Sequence, residues 1–394
     1  MKIKKLLIIF FPLIFLLLTA CSEQQQIHQK LIVQGIAIDY VENKYALTVQ
    51  ALDFQNPAGE EEPNVKTLKI SGNSLVEALE SISKQTNLEP VYSQNLVVII
   101  GEEIAKMGID RFMDFFVRHY ETRPKVKVCV TKGSASEIFK CKSGGKPIKS
   151  KNIHDLIPEN LNSDILHFVA NLKSNISDSY AAWLDVDSSA DEPEVCLKGV
   201  ALFKKDVLKD YLYGDEAMGF MLLKGVSDFG ACSVSVDSSQ DVTCSINEIH
   251  SSIDSDFSTE FPNFTVNLQG SISVFAFDKK FDAYFDENIK ILIRNRFSEK
   301  LINICTQCIR ECISMGADFF DWGRILKNCN PHEFRRIENS WNEYIQKCNY
   351  KICPEINVTI TGKEILFATY MNRTKNLSDR SRYCKLCPDS SGCF

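Results

Sequence analysis

Cysteine is the residue type in this chain with the most scope for chemistry, and the sequence holds fifteen of them. Cys305, Cys308 and Cys312 follow a C-x2-C-x3-C spacing, which can bind zinc or an iron–sulfur cluster. On a helix, however, these side chains share one apolar stripe with Leu301 and Ile304, where cysteine packs as a small hydrophobic residue. We therefore expect these thiols to belong to a core rather than to a metal site or a disulfide.

A second group of cysteines lies towards the end of the sequence. Cys384 and Cys387 form a C-x2-C pair in a Cys-rich tail over 363–394, and Cys348 and Cys353 form a C-x4-C pair before it. Together the four could supply zinc ligands. The tail is short and polar and offers no histidine partner, so we expect disulfides or free thiols there and no bound cofactor. Their pairing cannot be deduced from spacing.

The residue patterns of hydrolases are missing from the sequence. There is no G-x-S-x-G element and no H-E-x-x-H element, and His332 with Glu333 is followed by no second histidine. Asp318 and Asp321 flank two phenylalanines, and helix capping explains Asp318 at least as well as catalysis does. We predict that the protein is not an enzyme.

Cys21 is the one cysteine for which the surrounding residues predict a covalent modification. A lysine-rich head precedes an apolar run over 6–20, and Leu18, Thr19 and Ala20 lead into Cys21. This layout is typical of a secretory signal peptide, and the cysteine makes it resemble a bacterial lipobox. We expect cleavage between Ala20 and Cys21, a diacylglyceryl group carrying fatty acids such as palmitate on Cys21, and a flexible tether over 21–30. An uncleaved N-terminal membrane helix is the alternative.

The charge of the chain limits its partners. The formal net charge is −6, and three positive charges lie in the predicted signal peptide, 1–20, so the mature body is close to −9. An acidic body is a poor ligand for nucleic acid or for an anionic lipid surface. We expect membrane contact through lipid on Cys21, because two acyl chains are enough for stable anchoring.

Strands and helices alternate along the rest of the chain. Residues 32–39 and 45–52 predict a hairpin, Ser74 with Glu77 predicts a capped helix start, and the apolar run 96–100 predicts a strand buried on both faces. We predict an α+β fold of several mixed α/β domains, each a β-sheet with packed helices.

The acidic stretch 185–194 gives the best domain boundary. It separates an N-terminal mixed α/β region over 31–190, made of one or two subdomains, from a C-terminal mixed α/β domain over 195–362. In the second domain we expect short strands over 226–285, a long helix over 286–315, another helical piece over 334–348 and a closing strand over 356–360.

Several stretches, taken together in order and spacing, resemble the Ger(x)C family, the lipoprotein C subunits of spore germinant receptors. Each stretch alone is weakly specific, but the set covers nearly all of the mature chain. After the lipobox the stretches are 35–39 with 45–50, 96–105 with 115–118 and 121–124, 198–203 with 219–225, and 317–323 with Trp341 downstream.

The resemblance implies a lipid-anchored subunit on the extracytoplasmic face of the inner membrane of the spore of a sporulating bacterium. Its implied partners are two polytopic membrane subunits, one permease-like and one with soluble domains, which together sense nutrients and start germination. Many members carry a histidine where this chain has Asn95, and the tail after Gly362 falls outside the family pattern. As candidate structural or interface residues we single out Arg118, Arg123, Gly219 and Phe220.

A second function remains open from the sequence. The chain could be a substrate-binding lipoprotein that captures a nutrient itself and passes it to a transporter. A pocket with several convergent polar groups would favour that function.

Overall fold

The computed structural model describes residues 29–53, 64–118, 123–141, 148–188, 192–226, 231–237, 240–277 and 287–360. The predicted signal peptide, most of the tether and the Cys-rich tail lie outside these residues. So do Ala20, Cys21, Cys384 and Cys387, whose predicted roles stay predictions.

The first two-thirds of the described chain build one large mixed sheet. Its strands are β1 (Lys30–Val41), β2 (Lys44–Asp53), β3 (Asn64–Gly72), β4 (Glu89–Val91), β5 (Val97–Gly101), β6 (Lys127–Thr131), β7 (Tyr180–Asp187), β8 (Glu194–Lys204) and β9 (Val207–Tyr213). The order is β3-β2-β1-β5-β6-β7-β8-β9, with β4 also paired to β1. The four central strands run parallel and the outer ones antiparallel.

Helices cover both faces of this sheet. They are α1 (Leu75–Thr86), α2 (Glu102–Met107), α3 (Asp110–Arg118), α4 (Ala135–Ile138), α5 (Lys149–Leu156) and α6 (Ile165–Leu172). The sequence explains where α1 begins and why the central strand β5 is buried. Ser74 Oγ accepts the Glu77 amide at 3.1 Å to cap α1, as predicted, and every residue of β5 is buried, as expected for a parallel strand covered on both faces.

The last third forms a smaller sheet beneath helices. Its strands, in spatial order, are β10 (Ala231–Asp237), β11 (Gln240–Asp256), β12 (Asn263–Phe277) and β13 (Asn349–Ile360). The helices are α7 (Gly214–Leu223), α8 (Glu287–Ser314), α9 (Trp322–Cys329), α10 (Pro331–Ile337) and α11 (Trp341–Tyr344). One face of the sheet is apolar and joins the core with α7 and α8, while serine, threonine and asparagine side chains bond across the other.

The predicted α+β class with mixed sheets and packed helices is confirmed. Several predicted elements differ in extent. The strands over 226–285 are long rather than short, and the closing strand begins at Asn349 instead of Ile356 because it pairs along its whole length with β12. The helical piece predicted over 334–348 is broken into short α and 3-10 turns.

The large sheet continues across the predicted boundary at 185–194. Strand β7 ends inside that stretch, at Asp187, and β8 begins at its last residue, Glu194; the two strands pair antiparallel from Tyr180 to Asp187. The apolar core that begins under the central strands also extends without a break into the smaller sheet. The division into 31–190 and 195–362 therefore stays a prediction about domains. Among the described residues, no helix is long and apolar enough to cross a membrane.

Candidate functional site

A buried carboxylate, Asp318, lies at the centre of the candidate site, in the segment between α8 and α9. Its side chain accepts four hydrogen bonds and is 1% exposed. Oδ1 accepts the amides of Phe320 at 3.1 Å and Trp322 at 3.0 Å, and Oδ2 accepts the Gly323 amide at 2.7 Å and Trp341 Nε1 at 3.1 Å. Asp318 thus caps the first turn of α9 and holds the indole of α11 against it, which confirms the capping role inferred from the sequence.

The backbone of Asp318 fastens this segment to the large sheet. The Asp178 amide donates to the Asp318 carbonyl at 2.8 Å, and the Asp318 amide donates to Asp178 Oδ2 at 3.0 Å. Lys204, at the end of β8, places Nζ 3.6 Å from the same Asp178 oxygen and also donates to the Gly316 carbonyl. We call these residues, with Asp318, the buried latch.

A second acid in the same segment, Asp321, forms ion pairs or hydrogen bonds with residues of three other parts of the chain. Asp321 Oδ2 lies 3.5 Å from Lys224 Nζ, and its Oδ1 accepts Ser177 Oγ at 3.0 Å and lies 3.2 Å from Arg324. The Lys224 ammonium also lies 4.7 Å from the centre of the Tyr180 ring. Burial acts to lower the pKa of Lys224, but Tyr180 and Asp321 outweigh it and hold the pKa above its usual value.

The electrostatic surroundings of Asp318 favour a structural role for this carboxylate over a catalytic one. Burial raises the pKa of Asp318 to about 6, and the negative charge of Asp321 adds to the rise; the amide donors of Gly323 and Trp322, followed by the Trp341 indole, oppose it. Donors of the protein occupy both carboxylate oxygens, and the side chain is out of reach of solvent. Such a carboxylate orients helices; it has no approach for a substrate proton.

Gly219 and Phe220 lie beside the latch, on α7. A Cβ at Gly219 would stand 2.7 Å from the Ile304 carbonyl oxygen, so α7 and α8 approach each other through the glycine. Phe220 is fully buried, with ring centroids 4.9 Å from Tyr180 and 5.4 Å from Phe320. Both positions are internal: Gly219 allows α7 to pack closely on α8, and Phe220 packs against β7 and the segment after α8.

Arg118 and Arg123 lie away from the latch, at the surface of the large sheet's helical layer. Arg118 Nε is 2.6 Å from Asp114 Oδ2, and its side chain is 78% exposed. Arg123 is exposed, and its carbonyl accepts the Val126 amide at 3.2 Å in the turn before β6. An interface role for the two arginines stays a prediction.

The cysteines of α8 belong to the core, as predicted. Cys305, Cys308 and Cys312 are fully buried, and burial raises the pKa of the Cys305 thiol to about 12. Cys348 is buried, with Sγ donating to the Tyr344 carbonyl, and Cys353 is half-buried on β13. Within the described ranges the thiols are free, and no group of three or more His, Cys, Asp or Glu side chains could hold a metal ion.

A cavity of about 710 Å³ opens where β6 ends. Its lining includes Lys132, Gly133 and Ser134 after β6 and Asp185 near the end of β7. Asp39 supports the floor, because its carboxylate accepts the amides of the first residues of α4 and the Ser134 hydroxyl at 2.6–2.9 Å. Ligands of open α/β sheets bind at this edge, beyond the carboxyl ends of parallel strands.

Sequence reasoning missed several of these residues. Asp178 lies in a stretch with no motif, and Asp39 ends the stretch 35–39 without any sign of a buried role; the partners of both lie far along the chain, so no local pattern indicates these contacts. Lys224 directly follows an apolar helix, and this was the only available signal that its ammonium is buried. Asn95 is buried too, with an amide oxygen that lacks a hydrogen-bond partner within the described structure.

Comparison with known proteins agrees with the resemblance drawn from the sequence. Residues 23–184 match the family described as spore germination protein N-terminal domain, and residues 198–362 match the family described as spore germination B3/GerAC like, C-terminal. The two matches follow one another and together take in most of the chain.

One relative found by sequence and one solved structure agree with these family matches. The chain is 26% identical over 225 residues to YfkR of Bacillus subtilis (strain 168), a protein provisionally named for spore germination; the match takes in 54% of this chain and spans 58% of YfkR. The crystal structure of the GerBC protein has a similar fold, with a TM-score of 0.57, 18% identity, and 82% of this chain and 96% of that chain covered. The chain therefore belongs to the Ger(x)C, or GerAC-like, family of spore germination proteins.

Proposed function

We propose that this protein is a lipid-anchored, extracytoplasmic, non-enzymatic subunit of a nutrient germinant receptor, on the inner membrane of the spore. The observation that carries the proposal is the pair of family matches over 23–184 and 198–362. The lipobox-like residues before Cys21 support the anchor, and the saturated hydrogen bonding of Asp318 fits a scaffold better than a catalyst.

In this proposal the protein acts by assembly. Lipid on Cys21 holds the body at the membrane surface, and its folded part docks on polytopic subunits, one permease-like and one with soluble domains. Binding energy from these contacts would bias the receptor between resting and signalling states. The buried latch supports such a role, because it ties the two sheets into one core that can transmit a docking contact without deforming.

The first experiment compares the native chain with Cys21→Ala. We expect the wild-type protein to carry a diacylglyceryl mass on Cys21 and to partition with the spore membrane, and the variant to be released and to abolish the response to nutrients. Cys329→Ala is the matched control, since Cys329 is an exposed thiol on α9 with no predicted lipid. A Cys21→Ala chain that stays at the membrane and germinates normally would overturn the proposal.

The cavity at the end of β6 favours a second candidate, a lipoprotein that binds a nutrient itself. Its size of about 710 Å³ suits a small solute, and its lining brings Lys132, Lys140, Glu137 and Asp185 to one opening. Glu137 and Lys140 pair with each other, so Lys132 and Asp185 supply the opposite charges that suit a zwitterion such as an amino acid.

Isothermal titration calorimetry of the full chain with single L-amino acids tests this second function. Binding heat that disappears in Val186→Trp, which places an indole among the lining residues and narrows the cavity, would support direct nutrient capture. The absence of heat for every amino acid at millimolar concentration would reject it and leave the assembly function standing.

A further inference from the structure

Two buried cysteines face each other on neighbouring strands of the smaller sheet. Cys232 of β10 and Cys244 of β11 are direct partners in the antiparallel register. They are 4% and 0% exposed, and both are free thiols. No other strand register among the described residues pairs two cysteines.

The register brings the two residues within disulfide range. Directly opposed residues of an antiparallel pair have Cα atoms about 4.5–5.5 Å apart, and disulfides span Cα separations of about 4.4–6.8 Å. The two thiols also interact with each other, because Cys232 contributes to the raised pKa of Cys244, which burial brings to about 12. A bond between them therefore needs rotation of the two side chains and no change of strand pairing.

We propose that Cys232 and Cys244 form a cross-strand disulfide that staples β10, the edge strand of the smaller sheet, to β11. The proposal goes beyond the receptor function proposed above and rests on it only for the oxidising compartment in which the native bond would form.

The surroundings distinguish the two thiols. Lys300 of α8 donates to the Ser233 carbonyl at 3.0 Å, beside Cys232. Burial raises the pKa of Cys232, while Lys300 lowers it through its charge and a hydrogen bond, and the more distant Asp215 raises it slightly. Among the described residues no cation acts on Cys244 in this way, so Cys232 is the better nucleophile of the pair.

The reaction is a thiol–disulfide exchange in two steps. The Cys232 thiolate attacks one sulfur of an oxidant disulfide, either a small molecule or an exchange protein, and the other half of the oxidant leaves as a thiolate. The Cys244 thiolate then attacks the Cys232 sulfur of the mixed disulfide and expels the second half. The protein loses two electrons and two protons, and the oxidant disulfide is reduced to two thiols.

The helical cysteines provide an internal control. Cys308 and Cys312 are one turn apart on α8 and their thiols also interact. Side chains at this helical spacing have Cβ atoms about 5–6 Å apart, beyond the roughly 3.5–4.5 Å that a disulfide needs. The same oxidant should therefore cross-link Cys232 with Cys244 and leave Cys308 and Cys312 reduced.

The test uses the full chain, purified in detergent, reduced, and then refolded from urea in a glutathione redox buffer so that burial does not block access. After alkylation of the remaining thiols, we expect the peptides that carry Cys232 and Cys244 to be joined and unalkylated, with a mass about 2 Da below the sum of the two thiol peptides because two hydrogens are lost. No Lys or Arg separates the two cysteines, so an Asp-specific protease that cuts at Asp237 and Asp241 is used to show the linked peptides.

The variants resolve the order of steps. The variants are compared in the folded chain, incubated with oxidised glutathione long enough for the edge strand to open locally. There, Cys244→Ala should accumulate more glutathione adduct on Cys232 than Cys232→Ala does on Cys244, and Lys300→Met should slow cross-linking at least about twofold because less Cys232 is thiolate. Cys308→Ala should leave the cross-link unchanged. Full alkylation of both Cys232 and Cys244 in the refolded wild type would overturn the proposal, whatever the variants do.

A second sample, alkylated at the moment of lysis from spores, separates this proposal from the receptor function. If Cys232 and Cys244 are linked in both samples, the result supports the disulfide and also the extracytoplasmic location that the receptor function requires. A pair that links with glutathione yet is wholly reduced in spores supports the chemistry of the staple and counts against the extracytoplasmic location.

Discussion

Replacement of Gly219 by alanine tests how closely α7 packs on α8. The added Cβ would lie 2.7 Å from the Ile304 carbonyl oxygen and 3.0 Å from Cys308 Cβ. The nearer obstacle is backbone in the middle of a long helix, so it cannot turn away as a side-chain end could. The two helices would have to separate by several tenths of an ångström, and the core under Phe220 would loosen with them.

Two opposing effects set the magnitude. Overpacking of a core costs about 1–3 kcal/mol, whereas the change from glycine to alanine in a helix interior gains about 0.8–1 kcal/mol of helix propensity. The obstacle here is a fixed carbonyl, so we place the steric cost in the upper half of its range. We therefore expect Gly219→Ala to lower the free energy of unfolding by about 1–2 kcal/mol. The melting temperature should fall by about 1–3 °C, because the unfolding entropy of a chain of 394 residues is large.

Differential scanning calorimetry and urea titration followed by circular dichroism would measure the effect. Asn295→Ala is the matched control, because Asn295 is exposed on α8 and the substitution changes helix propensity without a steric contact. The control should be neutral or slightly stabilising. If Gly219→Ala raised the melting temperature as the control does, the close approach of α7 and α8 would be refuted.

Three further predictions concern the latch and the surface. Because the pKa of Asp318 is about 6 in the folded chain against an ordinary 3.8, the unfolded chain loses this proton first, and the contribution of Asp318 to stability falls as pH rises through that interval. In urea titrations the unfolding free-energy difference between wild type and Asp318→Asn should therefore shrink by about 2 kcal/mol between about pH 4.5 and about pH 7.5; a difference that grows with pH would contradict this. Trp341→Phe removes the indole donor to Asp318 Oδ2 and should cost about 1–3 kcal/mol by the same titration, and a neutral result would mean that the indole bond is dispensable. Arg118→Ala breaks an exposed ion pair and should change the melting temperature by less than about 2 °C, so a larger shift would reveal a contact that the isolated chain does not show.

Local signals in the sequence predicted much of the secondary structure. The apolar run of β5, the Ser74 cap of α1 and the cysteine stripe of α8 are each set by residues a few positions apart, and each was confirmed. The closing strand was underestimated because half of β13 is polar, and its pairing with β12 depends on residues that lie far away in the chain. The region after Phe334 broke into short turns because Trp341 must reach Asp318, which periodicity cannot show.

The candidate site was harder to predict than the fold. Gly219 and Phe220 were singled out within a stretch that resembles the family, and Asp318 was considered as a helix cap; the structure places Phe220 5.4 Å from Phe320, in the segment that Asp318 orders. The other half of the latch, Asp178, has an ordinary polar neighbourhood in the sequence, and nothing local indicates that it pairs with a segment 140 residues later. The facing of Cys232 and Cys244 likewise becomes visible only once the strand register is known.

The continuous large sheet has a consequence for how this protein can be divided. The first family match ends inside β7, at residue 184, and the second begins inside β8, at residue 198, although the two strands pair with each other. A chain cut between them would leave β7 with a bare row of amide and carbonyl groups, and its apolar face would lose β8 and β9 together. Unprotected edges of this kind recruit strands from other molecules. The separate halves should therefore aggregate or pair with each other, and complementation from two co-expressed fragments would be easier to obtain than either fragment as a well-behaved monomer.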